Sequence, residues 1–467
     1  MIANFLCSQN GKTIYYSFYI LRRLIRPLNI LQKTSVIPIQ FFPIENTLIS
    51  KQQFLKENFA NFGQIHFSKV DLSSIITDMI KRSISQHLIS LLSMYPTVTI
   101  TGPRQSGKTT LARMLLPEWN YVSLEDPEMR EFCTTDCKGF LKTYPNHTII
   151  DEAQRVPSLF SYLQTHVDLA GEKGMYVLTG SQNLNMMEAI SQSLAGRTSV
   201  LKLLPFSYEE QKEADILPDS VEEQIFTGGY PRIFDANIPP EQFYRDYTNL
   251  YVERDVRQLK NIGSLETFTR FVKLCAGRIG QLLNYQNLAD DCGIGATTAK
   301  EWISLLETSF IIYLLKPDYR NYTKRLVKSP KLYFTDTGLA CSLLEIQNAE
   351  QLKSHYLRGN LFENLAINRF RTASYNCGKE PNLSFWRDKN GIEIDLITNK
   401  ISTEGKEQPT AWEIKAGSTY SPDYFKNLKH WARLANANED LCKVIYTGET
   451  TMQTQYGELA SWKKLEM

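Results

Sequence analysis

Short apolar runs recur between residues 97 and 204, each closed by glycine or polar residues. Thr97–Thr101 is β-branched at every position, Thr148-Ile149-Ile150 ends on Asp151-Glu152, Met175–Thr179 runs into Gly180-Ser181-Gln182, and Thr198–Leu204 follows Ser193–Arg197. Runs of this length bounded by turn residues predict buried strands. Thr110–Leu116 reads as a helix stopped by Pro117. Strands alternating with helices predict an α/β domain with a parallel sheet over 79–205.

The pattern then changes. After a helical connector (206–260), Asn287–Asp291 reads as a short helix and Gly293-Ile294-Gly295 as a turn. A second helix from Thr297 to Glu307 places Ala299, Trp302, Ile303 and Leu306 on one buried stripe. Phe310–Leu315, a turn at Lys316-Pro317-Asp318 and a return to Tyr333-Phe334 form a hairpin, so 261–345 is expected to be a winged helix. Over 346–467 the order is helix (Gly359–Arg371), strands (Leu383–Arg387, Gly391–Thr398, Thr410–Ala416), helix (Pro422–Ala435) and strand (Leu441–Thr447). That is the order of an α/β restriction-endonuclease-like fold. The first 78 residues hold an aromatic run (Tyr15-Tyr16-Ser17-Phe18-Tyr19), a basic cluster (Arg22, Arg23, Arg26) and no sustained period. They are expected to be a poorly ordered extension ahead of a natural start at Met79. The basic residues follow the apolar run, which is not the order of a secretory signal.

Composition narrows the function classes. The chain has 467 residues, 42% apolar and 22% charged, the balance of a folded protein. Its net charge of +2 means that any nucleic-acid contact must come from local patches. Of eight cysteines only Cys133 and Cys137 are close, and no histidine completes a zinc set. Reduced thiols and a cytoplasmic location are expected. No apolar stretch is long enough to span a bilayer, and no membrane partner is expected.

The tightest chemical constraint is Gly102-Pro103-Arg104-Gln105-Ser106-Gly107-Lys108-Thr109-Thr110, a phosphate-binding loop between a strand and a helix. Glycine at each end lets successive backbone N–H groups close on a polyphosphate, at the partly positive helix N-terminus. Lys108 supplies a charge for the β/γ-phosphates and the Thr109 hydroxyl can hold Mg²⁺. The expected ligands are therefore ATP and Mg²⁺. Asp151 is expected to hold the metal and Glu152 to polarise the attacking water. Ser181 is the first choice as γ-phosphate sensor, with Thr179 and Gln182 as alternatives. Arg197 reads equally as a finger that neutralises transition-state charge, in its own subunit or in a neighbour's within a homo-oligomer, and as a surface salt bridge.

Two further constellations follow. Between Lys316 and Lys331 stand six cations (Lys316, Arg320, Lys324, Arg325, Lys328, Lys331), one anion (Asp318) and interleaved Tyr319 and Tyr322. This reads as a DNA-contacting wing or as a docking lid with solvated lysines. In the last region, Glu393 and Asp395 share one strand face, opposite Ile392, Ile394 and Leu396. Glu413 and Lys415 share another, opposite Trp412 and Ile414. Asp395 and Glu413 can jointly bind Mg²⁺, Lys415 can steady the attacking water, and Glu363 can reach the same centre from its helix. The alternative is a solvated strand face. Glu393-Ile394-Asp395 with Glu413-Ile414-Lys415 resembles the signature of restriction-endonuclease-like nucleases, although a Pro-Asp pair is absent.

Taken in order, Gly102–Thr110, Ile149–Gln154, Leu178–Gln182 and Ser193–Arg197 resemble the prokaryotic AAA-type ATPases that carry an uncharacterised C-terminal region. Gly228-Gly229-Tyr230-Pro231-Arg232, Tyr251–Val256 and Pro330–Leu339 are similar to later segments of that family. The resemblance implies ATP binding and hydrolysis across a chain that matches from Met79 to its end. The expected activity is that of an ATPase whose nucleotide state controls the C-terminal region on DNA. The rivals are a nucleotide switch without nuclease activity and a P-loop kinase of a small molecule.

Overall fold

The computed structural model describes residues 80–180, 190, 192–252, 264–318, 327–401 and 407–465, together with two short strands, β1 (Leu6–Gln9) and β2 (Lys12–Tyr15). These two pair antiparallel as a hairpin inside the segment expected to be a poorly ordered extension. Residues 79–467 form one compact unit.

Five parallel strands build the first sheet: β3 (Thr97–Thr101), β4 (Asn120–Ser123), β5 (Thr148–Asp151), β6 (Tyr176–Thr179) and β7 (Thr198–Lys202). Their spatial order is β4-β5-β6-β3-β7. All five residues of β3 are buried, as expected for a central strand covered on both faces. Ile149 and Val177 pack in one core with Ile84, Leu88 and Leu111. Their neighbours Ile150 and Leu178 pack in the other with Phe140, Leu159 and Leu163. Alternation along each strand thus feeds two helical layers, and the domain is an α/β sandwich. Helix α1 (Lys108–Leu115) starts inside the phosphate loop.

The rest of the unit is built round a second sheet. Helices α2 (Leu265–Ala276), α3 (Tyr285–Cys292) and α4 (Ala296–Thr308) precede β8 (Ile312–Pro317) and β9 (Lys331–Phe334). Gly293, at φ 72°, ends α3 in the left-handed region, and Ala299, Trp302, Ile303 and Leu306 are buried as the stripe requires. Helix α5 (Arg358–Asn376) leads to β10 (Leu383–Arg387), β11 (Glu393–Ile401) and β12 (Glu407–Lys415). Helix α6 (Lys426–Ala435) and strands β13 (Cys442–Tyr446), β14 (Met452–Thr454) and β15 (Gly457–Ser461) complete the fold.

The hairpin β8–β9 does not stand apart as a wing. β8 pairs in parallel with β10, Lys316 opposite Ser384, so one eight-stranded sheet runs β14-β15-β13-β12-β11-β10-β8-β9. A single apolar core continues from Tyr208 through Trp302 and Phe334 to Leu465. The expected strict alternation along β11 also breaks. Between its pairings Ser384↔Ile397 and Trp386↔Ile394, β11 carries one extra residue, a β-bulge. Ile394 and Leu396, expected on one face, therefore enter different cores.

Asp336 ties these parts together. Buried after β9, it caps the helix Thr337–Leu343 through Leu339 N (3.1 Å) and accepts from Gly229 N (2.8 Å). A side chain at Gly228 would meet Tyr244 Oη at 2.1 Å and Asp336 Oδ1 at 2.4 Å, so only glycine fits there. Asp336→Ala is expected to cost about 3 kcal/mol in urea unfolding, because buried donors lose a charged acceptor; a loss under about 0.5 kcal/mol would contradict this linkage.

Candidate active site

The phosphate loop follows β3 directly and its conformation is set by glycine. Gly102 has φ 150° and a Cβ there would lie 2.1 Å from Leu203 O. Gly107, at φ 91°, caps α1. Gln105 also sits at positive φ, 59°. Lys108, buried, donates to Gly102 O (3.2 Å) and Pro103 O (2.7 Å), which keeps its ammonium over the loop.

Strand order brings the acidic pair to the same edge. β6 lies between β3 and β5, so Thr179, Asp151 and the loop meet at the C-terminal ends of three adjacent strands. Thr109 Oγ1 donates to Asp151 Oδ1 at 2.8 Å, and Thr179 Oγ1 donates to the same oxygen. Tyr121 Oη donates to Asp151 Oδ2 at 3.0 Å. Burial, and then the Asp151 charge, push the Tyr121 phenol up to about 12, so it stays a donor. A hydroxyl and a carboxylate converging in this way form an oxygen donor set that fits Mg²⁺. Glu152 sits at φ 53°, a left-handed backbone that costs a non-glycine residue about 1–3 kcal/mol. Its carboxylate accepts from Gln154 Nε2.

The other expected residues fall as follows. Pro103, Arg104, Ser106 and Thr110 lie in the loop and the first turn of α1. Ser181 and Gln182 lie outside the described residues. Arg197 is paired with Asp168, Nε to Oδ1 at 2.6 Å and Nη2 to Oδ2 at 2.8 Å. Its carbonyl accepts from Thr97 N, at the N-terminal end of β3. That is the edge of the sheet opposite the phosphate loop, about 16 Å away along a five-residue strand. A finger acting within its own subunit is therefore corrected: this side chain does not reach its own loop.

Arg82 and Glu210 escaped the sequence reading. Buried Arg82 donates to Glu210 Oε1 (3.1 Å), Ser106 O (2.9 Å) and Leu204 O (2.6 Å), and lies over the Phe206 ring. Glu210 also closes a capping box with Ser207. The partners are 128 residues apart, and no local pattern announces them.

A second polar centre lies where α5, β9, β10, β11 and β12 meet. It gathers Glu363, Asp395, Glu413 and Lys415, all expected, with Lys331, Tyr333, Glu393 and Arg387. Lys331 Nζ is 2.8 Å from Glu363 Oε1 and 4.0 Å from Asp395 Oδ1, and pairs closely with Glu393. Tyr333 Oη donates to Glu363, Arg387 Nη1 lies 2.8 Å from Glu393 Oε2, and Ile414 N donates to Asp395 Oδ2 (2.8 Å). Lys415 Nζ lies 2.6 Å from Glu413 Oε1, while buried Glu413 Oε2 has no hydrogen-bond partner. Among the described residues, no three acidic, histidine or cysteine side chains converge as a ready metal cage. Asp395 and Glu413 are near, but Lys331 lies among the acids.

The expected basic wing is corrected accordingly. Lys331 is 2% exposed and faces carboxylates, not solvent, because period-2 alternation puts Lys331 and Tyr333 on the face of β9 toward Glu363. Asp318 is buried as well. Lys316 and Lys328 are exposed; Tyr319, Arg320, Tyr322, Lys324 and Arg325 lie outside the described residues.

Residues 94–212 match the family described as an AAA domain. With the parallel sheet and its loop, this match supports an α/β P-loop NTPase fold for that region. Residues 218–350 and 358–465 match two families, each described as a domain of unknown function (DUF8612 and DUF4143). The chain is similar to "Uncharacterized protein Rv2008c" of Mycobacterium tuberculosis and "Uncharacterized protein Mb2031c" of Mycobacterium bovis. Each is 29% identical over 375 residues, covering 79% of this chain and 80% of the relative. Among solved structures, it resembles the Walker-type ATPase PABY2304 of Pyrococcus abyssi (14% identity, 57% of this chain and 96% of that chain, TM-score 0.39). It also resembles the RuvB Holliday junction branch migration motor of Thermotoga maritima (19%, 50% and 89%, TM-score 0.28). At such scores the fold assignment rests on the strand order and the AAA match. No helix among the described residues is long and apolar enough to cross a membrane.

Burial dominates the acids of the second centre, pushing Glu363 up to about 7 and Glu413 up to about 8; Asp395 is raised for the same reason. For Lys331 burial acts downward, but Glu363, Asp395 and Glu393 outweigh it and the net direction is up. The raised carboxyls hold protons in the folded state that the unfolded chain releases above its ordinary value of 4.5. Their stabilising contribution is full below that value and is lost as pH rises through about 7 to 8. The melting temperature is expected to fall between about pH 5 and pH 9, and Glu413→Gln to flatten that slope. An identical slope in the variant would refute this.

Proposed function

We propose that this chain is a Mg²⁺-dependent ATP hydrolase whose nucleotide state controls a nuclease-like centre acting on DNA. The observation that carries the hydrolase is the meeting of Thr109 and Thr179 on one oxygen of Asp151, beside a loop built to wrap phosphate. In this reading Lys108 and the amides of the loop bind the β- and γ-phosphates. Thr109 and Asp151 hold Mg²⁺, which supplies charge neutralisation at the phosphates when bound. Glu152 orients the water, held there by a backbone that a relaxed glutamate would not adopt. Ser181, next after Gly180 beyond β6, remains the proposed γ-phosphate sensor, while Thr179 is engaged with Asp151. Arg197 would serve only across a subunit boundary, so that role entails a homo-oligomer. Holliday junction branch migration belongs to the RuvB neighbour by its name. A DNA substrate here is our own inference from Lys316, Lys328 and the acidic centre.

For the second centre, the orphaned Glu413 Oε2, Asp395 and Lys415 support Mg²⁺-assisted phosphodiester hydrolysis, with Glu363 at the same centre. One observation favours a second reading, a nucleotide switch whose last region only binds a partner: the ammonium of Lys331 already satisfies Glu363 and Glu393.

Phosphate release from ATP without any added acceptor is expected for the wild type, which separates an ATPase from a small-molecule kinase. Lys108→Ala should abolish it, and Glu152→Gln should keep nucleotide binding while slowing release by about 10²-fold or more. Equal rates in all three proteins would end the hydrolase reading. Nicking of plasmid DNA with Mg²⁺ is expected and should be lost in Glu413→Ala. No nicking by the wild type, with and without ATP, would leave the switch.

A further inference from the structure

Lys331 is an unusual occupant of an acidic centre. It comes from β9, at the end of the eight-stranded sheet, whereas the acids come from α5, β11 and β12. The residue is 2% exposed, and its ammonium contacts Glu363 and Glu393, with Asp395 at 4.0 Å. Four carboxyl groups (Glu363, Glu393, Asp395, Glu413) here face three cations (Lys331, Arg387, Lys415). Without Lys331 the fully ionised acids would exceed their cations by two charges, the charge of one divalent ion.

A second, independent feature points the same way. Glu413 is 4% exposed, yet its Oε2 accepts no hydrogen bond. A buried carboxylate oxygen left unpaired is costly unless something else uses it. Hard divalent cations take carboxylate oxygens. Lysine is suited to vacate such a position, because its charge rides on a flexible four-carbon stem and can swing away with the backbone in place.

We propose that Lys331 is a resident counter-ion that keeps this centre closed, and that Lys331 and a divalent cation occupy it in mutually exclusive states. The proposal rests on the reading of Asp395 and Glu413 as metal-binding residues. It adds that the resting protein is held off the metal by a side chain of its own. Lys331 is then a positioning residue, one that displaces metal and takes no part in bond cleavage.

The test is a calorimetric Mn²⁺ titration of the full chain at about pH 8, the upper end of the raised carboxyl range. Lys331→Met should gain an Mn²⁺ site at least about tenfold tighter than the wild type shows there, equivalent to about 1.4 kcal/mol. Adding Glu413→Gln should remove that gain, which also separates it from Mn²⁺ bound near Thr109 and Asp151. Lys331→Arg, which keeps the charge, should titrate like the wild type. An isotherm of Lys331→Met that superimposes on the wild type overturns the proposal, as does a gained site that survives Glu413→Gln. If circular dichroism shows that Lys331→Met is unfolded, Lys331→Met/Glu393→Gln, which restores the charge balance, is judged by the same criteria. Plasmid nicking is read separately: an Mn²⁺ gain without nicking sinks the nuclease reading alone, and nicking without the gain sinks only the counter-ion.

Discussion

One buried guanidinium governs how the nucleotide loop meets the remainder of the unit. Arg82 satisfies a loop carbonyl at Ser106, a carbonyl beyond β7 at Leu204, and the carboxylate of Glu210. Breaking a buried pair of this kind strands the surviving charge, at a cost of about 3–5 kcal/mol. The same glutamate receives Ser83 N and Ser207 N, so the entrance to the sheet and the first connector helix share one acceptor. The loop is therefore not a free flap on a strand end. Its geometry is fixed by Arg82 and Glu210, which lie outside the loop sequence.

From that anchor, contacts continue toward the acidic centre. Phe206, under the Arg82 guanidinium, donates its N–H to Gly229 O at 2.7 Å, and Gly229 donates to Asp336. Asp336 closes the segment that begins at Lys331 and Tyr333, both of which contact Glu363. Contiguity of this kind is a route and not in itself a coupling energy, which only a shared two-state element can supply. It nevertheless gives Gly228-Gly229 and Thr335-Asp336-Thr337 a physical reason to be as they are. The first must bare its amide, and the second must bury a carboxylate against it.

Much of the first domain was legible in the sequence because its signals are local. β-Branched runs, a glycine-bounded loop and acids at a strand end each fall within ten residues, and four of the five strands came out within a residue or two, while the half-exposed β4 was missed. The buried stripe of α4 was legible for the same reason. What failed depends on pairing at a distance. Nothing near Lys316 says that its strand will lie beside Ser384, so the hairpin read as a wing. Nothing near Lys331 names Glu363, and a lysine in a basic stretch looks solvated until alternation with Tyr333 is weighed. The bulge in β11 is likewise invisible, since one extra residue reverses every later assignment of faces. β14 and β15 were overlooked because their short polar strands carry little apolar signal.

The parallel pairing of β8 with β10 has a bearing on how such chains can be divided. The two regions of unknown function meet within one sheet, and the junction between them carries backbone hydrogen bonds instead of a linker. A gene fragment bearing either region alone would encode a naked strand margin prone to association with other chains. Separating the two regions at that seam would expose both strand edges, so they are expected to fold only as one piece.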